Sequence, residues 1–132
     1  MFLDWLDRYP IASIEDPFAE DDRDGWITFA RAASGRVQIV GDDYLTTHAP
    51  RVAEAAADGA CNAVLIKVNQ AGTLTEAKAA LDAGKRAGFG TIVSARSGET
   101  EDVAIAHLAV GWNAGQLKVG SFARERTDGE ME

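Results

Sequence analysis

Five apolar, strand-like runs in this chain each end on a charged residue: Glu15, Asp42, Lys67, Arg96 and Lys118. These residues follow one another at intervals of 22 to 29 positions, a length that fits one strand and one crossover helix per repeat. Because parallel strands have their carboxyl ends at the same edge of a sheet, we expect the five charges to gather there. Two acids, two lysines and an arginine in one place predict metal-assisted chemistry on an anionic substrate.

The composition restricts the classes of protein to which the chain can belong. Its 132 residues form one domain at most, and 46% of them are apolar, enough for a buried core. The net charge of −8 argues against nucleic acid or an anionic membrane as a partner, because a negative surface attracts neither. No signal peptide, membrane span or Cys/His metal motif is present, which predicts a cytoplasmic protein. The single cysteine, Cys61, lies among small residues, so we expect its side chain to be buried.

Helix and strand patterns alternate through the chain. Helices are predicted at Met1–Arg8, Asp21–Ala33, Pro50–Asp58, Thr73–Ala87 and 97–110. Strands are predicted at Tyr9–Ile14, Val37–Val40, Ala63–Val68, Thr91–Ser94 and Gln116–Val119. The pattern predicts a single α/β domain over residues 1–132, built as a partial (β/α) barrel of about five βα units. Residues 9–122 contain the charged positions, and residues 123–132 form a charged tail.

A partial barrel has edges that need cover. Eight strands close a (β/α) barrel, so five strands leave two edges unpaired and one side of the sheet uncovered. We therefore expect either self-association into a homo-oligomer or a second polypeptide that supplies the missing strands.

The charged residues lie within five short runs, which are Ser13-Ile14-Glu15-Asp16-Pro17-Phe18, Gly41-Asp42-Asp43, Leu65-Ile66-Lys67-Val68-Asn69-Gln70, Ser94-Ala95-Arg96-Ser97-Gly98-Glu99-Thr100-Glu101-Asp102 and Lys118-Val119-Gly120. In order and spacing these runs resemble those of enolase, the glycolytic lyase that dehydrates 2-phosphoglycerate to phosphoenolpyruvate. The resemblance extends from about Tyr9 to Arg126 and implies the C-terminal part of the enolase barrel domain.

The resemblance implies a metal site and a base. Glu15 and Asp42 correspond to Mg²⁺ ligands, and carboxylate oxygens are the hard ligands that this ion prefers. Lys67 corresponds to the base that removes a proton next to the substrate carboxylate. With two carboxylates alone, we expect Mg²⁺ binding by the isolated chain to be weak or absent.

The resemblance also implies a binding site for a small phosphorylated carboxylate. Lys118 corresponds to the lysine that pairs with the substrate carboxylate. Arg96 and Ser97 correspond to the phosphate-binding pair, and a planar guanidinium suits a phosphate better than an ammonium does.

Two departures from the enolase pattern limit the expected activity. Enolases have a histidine between the serine and the arginine of the fourth run, whereas this chain has Ala95. In the family, a third metal-binding carboxylate and the acid that protonates the leaving hydroxyl come from segments upstream of anything in this chain. We therefore expect the isolated chain not to complete the dehydration.

Simpler interpretations of the same residues stay open. Glu15 and Asp42 could be helix caps or solvated loop residues, and Lys67 could extend its ammonium to solvent from a strand edge. Arg96 and Ser97 could cap the following helix and pair with its acidic first turn. The three tryptophans and His107 are predicted to pack in the core or between helices, the tryptophans being Trp5, Trp26 and Trp112.

Three hypotheses for the function follow. In the first, the chain is a subunit of a split enolase that is completed by a polypeptide containing the N-terminal domain and the first strands. In the second, it is a catalytically inactive module of enolase descent that self-assembles and binds a phosphorylated carboxylate. In the third, it is a remnant of an enolase with little stability of its own.

Overall fold

Helices and strands alternate in the computed structural model, which describes residues 1–96 and 102–120. The helices are α1 (Phe2–Arg8), α2 (Arg23–Ala33), α3 (Ala49–Asp58), α4 (Val68–Ala71), α5 (Leu74–Arg86) and α6 (Ala104–Gly111). The strands are β1 (Ser13–Glu15), β2 (Gln38–Gly41), β3 (Ala63–Ile66), β4 (Gly90–Ser94) and β5 (Gln116–Lys118). They form one parallel sheet in the order β1-β2-β3-β4-β5. The predicted α/β partial barrel of five βα units is confirmed.

Capping side chains set the helix boundaries. The carboxylate of Asp22 accepts the backbone N–H of Gly25 (3.0 Å) at the start of α2, and the Thr73 hydroxyl accepts that of Glu76 (3.1 Å) at the start of α5. At the end of α3, Gly59 takes the left-handed conformation with φ +65, which glycine adopts without a Cβ penalty.

The strand at the N-terminal edge is shorter than predicted. β1 begins at Ser13, whereas the sequence pattern predicts a strand from Tyr9. Pro10 has no N–H, and the N–H of Ile11 donates to the carbonyl of Tyr9 (2.8 Å), so Tyr9–Ile11 turns, and contact with β2 begins at the carbonyl of Ala12.

The end of the third strand also differs from the prediction. The apolar run predicts a strand through Val68, but β3 ends at Ile66 and the chain turns into the short helix α4. Gly72, with φ +97, ends that helix. In the fourth unit, α6 begins only at Ala104, and the predicted helix start at 97–101 and the tail at 123–132 lie outside the described residues.

The two faces of the sheet bury separate apolar clusters. Side chains on the outer face pack against the helices in the main core, among them Ile39, Val64, Ile66 and Val93. Side chains on the inner face form a second cluster of Val40, Ala63, Leu65 and Ile92, each no more than 7% exposed. β3 is therefore buried on both faces, as its continuous apolar run predicts.

The sheet is strongly curved. In a flat sheet the edge strands β1 and β5 would lie roughly 19 Å apart, farther than a lysine and a glutamate side chain can reach together. The Nζ atom of Lys118 on β5 nevertheless lies 2.6 Å from both carboxylate oxygens of Glu15 on β1. The five strands therefore curl about their inner face, as the strands of a barrel do.

The predicted packing residues have different environments. Trp26 is fully buried and stacks on Tyr44 with ring centroids 4.3 Å apart, and Trp112 packs against the main core. Trp5 is 40% exposed, at the edge of an aromatic group around α1. His107 is exposed, so its predicted packed position is wrong, because other positions form the buried side of α6.

Among residues 1–96 and 102–120, every helix is too short or too polar to cross a bilayer.

Two helical glycines provide a matched test of the packing between α5 and the sheet. A Cβ at Gly84 would lie 2.8 Å from Cγ1 of the fully buried Val64, whereas a Cβ at Gly111 in α6 would meet nothing within 4 Å. We expect Gly84→Ala to lower the free energy of unfolding by about 1–3 kcal/mol despite the better helix propensity of alanine. Gly111→Ala should raise it by about 0.4–1 kcal/mol. Urea unfolding of both variants checks this, and stabilisation by both would contradict the close packing at Gly84.

The buried cysteine gives the fold a specific alkaline sensitivity. Burial disfavours the thiolate and raises the pKa of Cys61 from 9.0 to about 12. Because the unfolded chain releases this proton first, stability should fall as the pH rises from about 9 towards 12. We expect Cys61→Ala to show a smaller fall in the urea midpoint between pH 8 and pH 10.5. The same fall in both proteins would show that this thiol is not responsible.

Candidate active site

Strand alternation places the predicted charged residues on the inner face. Glu15 pairs in register with Val40, and Lys118 with Ser94, both on the side of the inner apolar cluster. Asp42 and Lys67 come two residues after inner-face positions of β2 and β3, so they lie on that side directly above the cluster. We call this group, together with Arg96, the carboxyl-end rim. Ser97, predicted to bind phosphate, lies outside the described residues.

Asp42 and Lys67 form a buried ion pair at the centre of the rim. The Nζ atom of Lys67 donates to Oδ2 of Asp42 at 2.5 Å. The Asp42 side chain is only 9% exposed and the Lys67 side chain only 14%. Each charge depends on the other here, since removing one partner would leave the other buried without compensation. Lys67 therefore points inward and does not extend to solvent from a strand edge.

Glu15 and Lys118 form a second pair nearer to solvent. The Glu15 side chain is 35% exposed and that of Lys118 is 46% exposed, so solvent screens their attraction. The pair joins the first and last strands of the sheet across its open side, between residues 103 positions apart in the chain. Each of the two predicted metal-binding carboxylates is thus paired with one of the two predicted lysines.

Asp16 is a site residue that the spacing analysis missed. Its Oδ1 accepts the N–H of Asp42 and its Oδ2 the N–H of Asp43, both at 2.9 Å. Asp16 has φ +41, a left-handed conformation that aspartate tolerates better than most residues. In the sequence, the position of Asp16 between Glu15, which ends a strand, and Pro17 could have indicated a structured turn.

The acidic group fits a divalent cation. Oδ1 of Asp42 is buried and has no hydrogen-bond partner among the described residues. Asp16, Asp42 and Asp43 can each present one oxygen within 4.8 Å of the others. Oxygen donors of this kind suit Mg²⁺. Within the described part of the chain, this group brings Asp42 together with its neighbours and not with Glu15, whose oxygens contact Lys118.

Arg96 and Ala95 mark the end of β4. The N–H of Ala95 donates to the carbonyl of Lys118 (3.0 Å), which extends the contact between β4 and β5 beyond the paired strand residues. The Ala95 methyl packs against the main core, and Arg96 is exposed. Arg96 comes two residues after Ser94, the last inner-face residue of β4, and so lies on the same edge of the sheet as the two lysines.

A comparison with protein families supports the same ancestry. The sequence model of the family described as "Enolase, C-terminal TIM barrel domain" matches residues 1–128. The match includes all the rim residues, and it confirms the resemblance seen in the five short runs.

Asp16 is expected to hold the β2–α3 turn, and its neighbour Asp43 provides a control. Asp16→Asn keeps an acceptor oxygen for one of the two backbone N–H groups. It places the side-chain NH₂ group against the other N–H, which then loses its acceptor. We expect the free energy of unfolding to fall by about 1–2 kcal/mol. Asp43→Asn, which changes an exposed carboxylate, should change it by less than about 0.5 kcal/mol. Urea unfolding measures the change in both variants. Equal losses of stability would contradict the role of Asp16 in holding the turn.

Proposed function

Since the chain belongs to the enolase family by its C-terminal barrel domain, we propose that its carboxyl-end rim binds Mg²⁺ and a small phosphorylated carboxylate. In a completed barrel in the cytoplasm, the rim would catalyse the dehydration of 2-phosphoglycerate to phosphoenolpyruvate. The observation that carries the proposal is the pairing of both acids with both lysines on one concave face. Such a set can separate into carboxylates for a cation and ammonium groups for an anion.

The proposed roles follow from the chemistry of the side chains. Lys67, held at the centre of the rim, would take the proton from the carbon next to the substrate carboxylate. Lys118 would bind the carboxylate, and Arg96 with Ser97 would bind the phosphate.

Asp42 and Glu15 would hold Mg²⁺, with Asp16 and Asp43 next to Asp42. The ion, when bound, supplies the concentrated positive charge that a carbanion beside a carboxylate requires.

The proposal includes a partner. The five strands of the described residues do not close a barrel of eight, and a parallel sheet is normally covered on both faces. The partner would be a polypeptide with the N-terminal part of an enolase, which brings the general acid, or a second copy of this chain.

One observation favours a second candidate function. Ala95 stands where enolases have a histidine, and its methyl group packs against the core. In this alternative, the chain is a self-assembling module that binds a phosphorylated carboxylate without turnover.

Hydrogen exchange at the substrate tests the proposed base separately from dehydration. With Mg²⁺ and 2-phosphoglycerate in D₂O, we expect the chain to exchange the C2 hydrogen for deuterium, because this step needs a base and no leaving-group acid. Lys67→Ala should slow the exchange at least about 100-fold. Lys78→Ala removes a lysine that pairs with Asp82 on the surface of α5 and should leave the rate unchanged.

Mass spectrometry of the recovered substrate measures the exchange. Deuterium uptake that survives Lys67→Ala would contradict the role of Lys67. Binding of 2-phosphoglycerate with no deuterium uptake by the wild-type chain would favour the non-catalytic module.

A further inference from the structure

The turn that contains Asp42 continues into a second contact with Lys67. The carbonyl of Asp42 accepts the N–H groups of Leu45 (3.2 Å) and Thr46 (2.7 Å), and the N–H of His48 donates to the carbonyl of Leu45 (3.0 Å). These bonds close residues 42–48 into one compact turn between β2 and α3. Thr47 lies in this turn and is only 2% exposed.

The backbone of this turn has an uncommon conformation. Thr46 and Thr47 have φ +49 and φ +51, in the left-handed region that β-branched residues rarely adopt. Such strain costs on the order of 1–3 kcal/mol per residue and persists only where the surrounding contacts enforce it. Glycine or asparagine would fit this backbone with less strain, so the threonine side chain needs a reason of its own.

The Thr47 hydroxyl supplies that reason. Its Oγ1 accepts the backbone N–H of Lys67 at 3.0 Å and lies 2.7 Å from Oε1 of Gln70, to which it donates. The β3–β4 pairing ends at Ile66, so the N–H of Lys67 lies beyond that ladder. The hydroxyl therefore links the end of β3 to α4 through one donated and one accepted hydrogen bond.

We propose that Thr47 is a positioning residue for Lys67. One turn holds this lysine at two points: the Asp42 carboxylate binds its ammonium group, and the Thr47 hydroxyl binds its backbone N–H. If Asp42 coordinates a cation, the hydrogen bond from the Lys67 N–H to Thr47 still fixes the backbone position from which the Lys67 side chain extends. The inference rests on the proposed role of Lys67 as the base.

Three variants separate the hydroxyl from the shape of the residue. Thr47→Val keeps the branched side chain and removes the hydroxyl, whereas Thr47→Ser keeps the hydroxyl. Thr46→Val is the matched control, because Thr46 has a similar positive φ of +49 and its hydroxyl accepts a hydrogen bond from Arg51 (3.3 Å), not from Lys67. If valine at position 47 prevents folding, Thr47→Gly also removes the hydroxyl and adopts the positive φ without strain.

Two measurements on the folded chain give the result. NMR should show the amide of Lys67 exchanging with solvent about tenfold faster in Thr47→Val. In the same variant, the side-chain ¹H–¹³Cε signal of Lys67 should move towards the positions typical of exposed lysines. The C2 exchange rate at saturating 2-phosphoglycerate and Mg²⁺ should fall about tenfold, with the half-saturating concentration unchanged. Thr47→Ser and Thr46→Val should retain the wild-type values.

The outcomes are distinguishable from failure of the proposed function. Unchanged Lys67 signals in Thr47→Val or Thr47→Gly, or an equal change in Thr46→Val, would overturn the positioning role. If the wild-type chain exchanges no C2 hydrogen, the proposed function has failed. The Lys67 signals then still decide whether Thr47 holds this residue.

Discussion

Lys118 and Glu15 lie on opposite edge strands of the sheet, and they can touch only because the five strands curl about their inner face. The same curvature buries Leu65 and its neighbours on that face, although only five of the strands of a barrel are described. It also directs the side chains that follow the inner apolar layer towards a common point. The grouping of charges at the rim therefore depends on the curvature, to which this partly exposed ion pair adds little energy.

The Asp42–Lys67 pair is the strongest structural support for the proposed role of the rim. A buried ion pair is often no more stable than apolar residues of the same volume, because both charges lose their hydration. Here the buried Oδ1 of Asp42 also lacks a hydrogen-bond partner among the described residues, which adds to the cost. Local rules of packing are broken at this point, and such exceptions are expected at functional sites.

Much of the fold could be predicted from the sequence, because it depends on periodicity. The continuous apolar run of β3 indicated a strand buried on both faces, and the spacing of Glu15, Asp42 and Lys67 indicated a common edge. The contacts of Asp16 and Thr47 could not be predicted. In both, a side-chain oxygen accepts hydrogen bonds from backbone N–H groups of another segment, and such contacts depend on how two turns meet in space. The turn into α4 was missed for a similar reason, since Val68 resumes the apolar pattern after Lys67 in sequence but lies in α4 in the structure.

In the proposed function, the paired acids and lysines of the rim separate to bind a cation and an anion together. Calorimetric titration of 2-phosphoglycerate into the chain, with and without Mg²⁺ at equal ionic strength, tests this most directly. If Mg²⁺ takes the carboxylates and releases the lysines for the anion, the ion should lower the Kd of 2-phosphoglycerate about fivefold or more. The gain should be lost in Asp42→Asn. An equal Kd with and without Mg²⁺, or an equal gain in Asp42→Asn, would contradict the account.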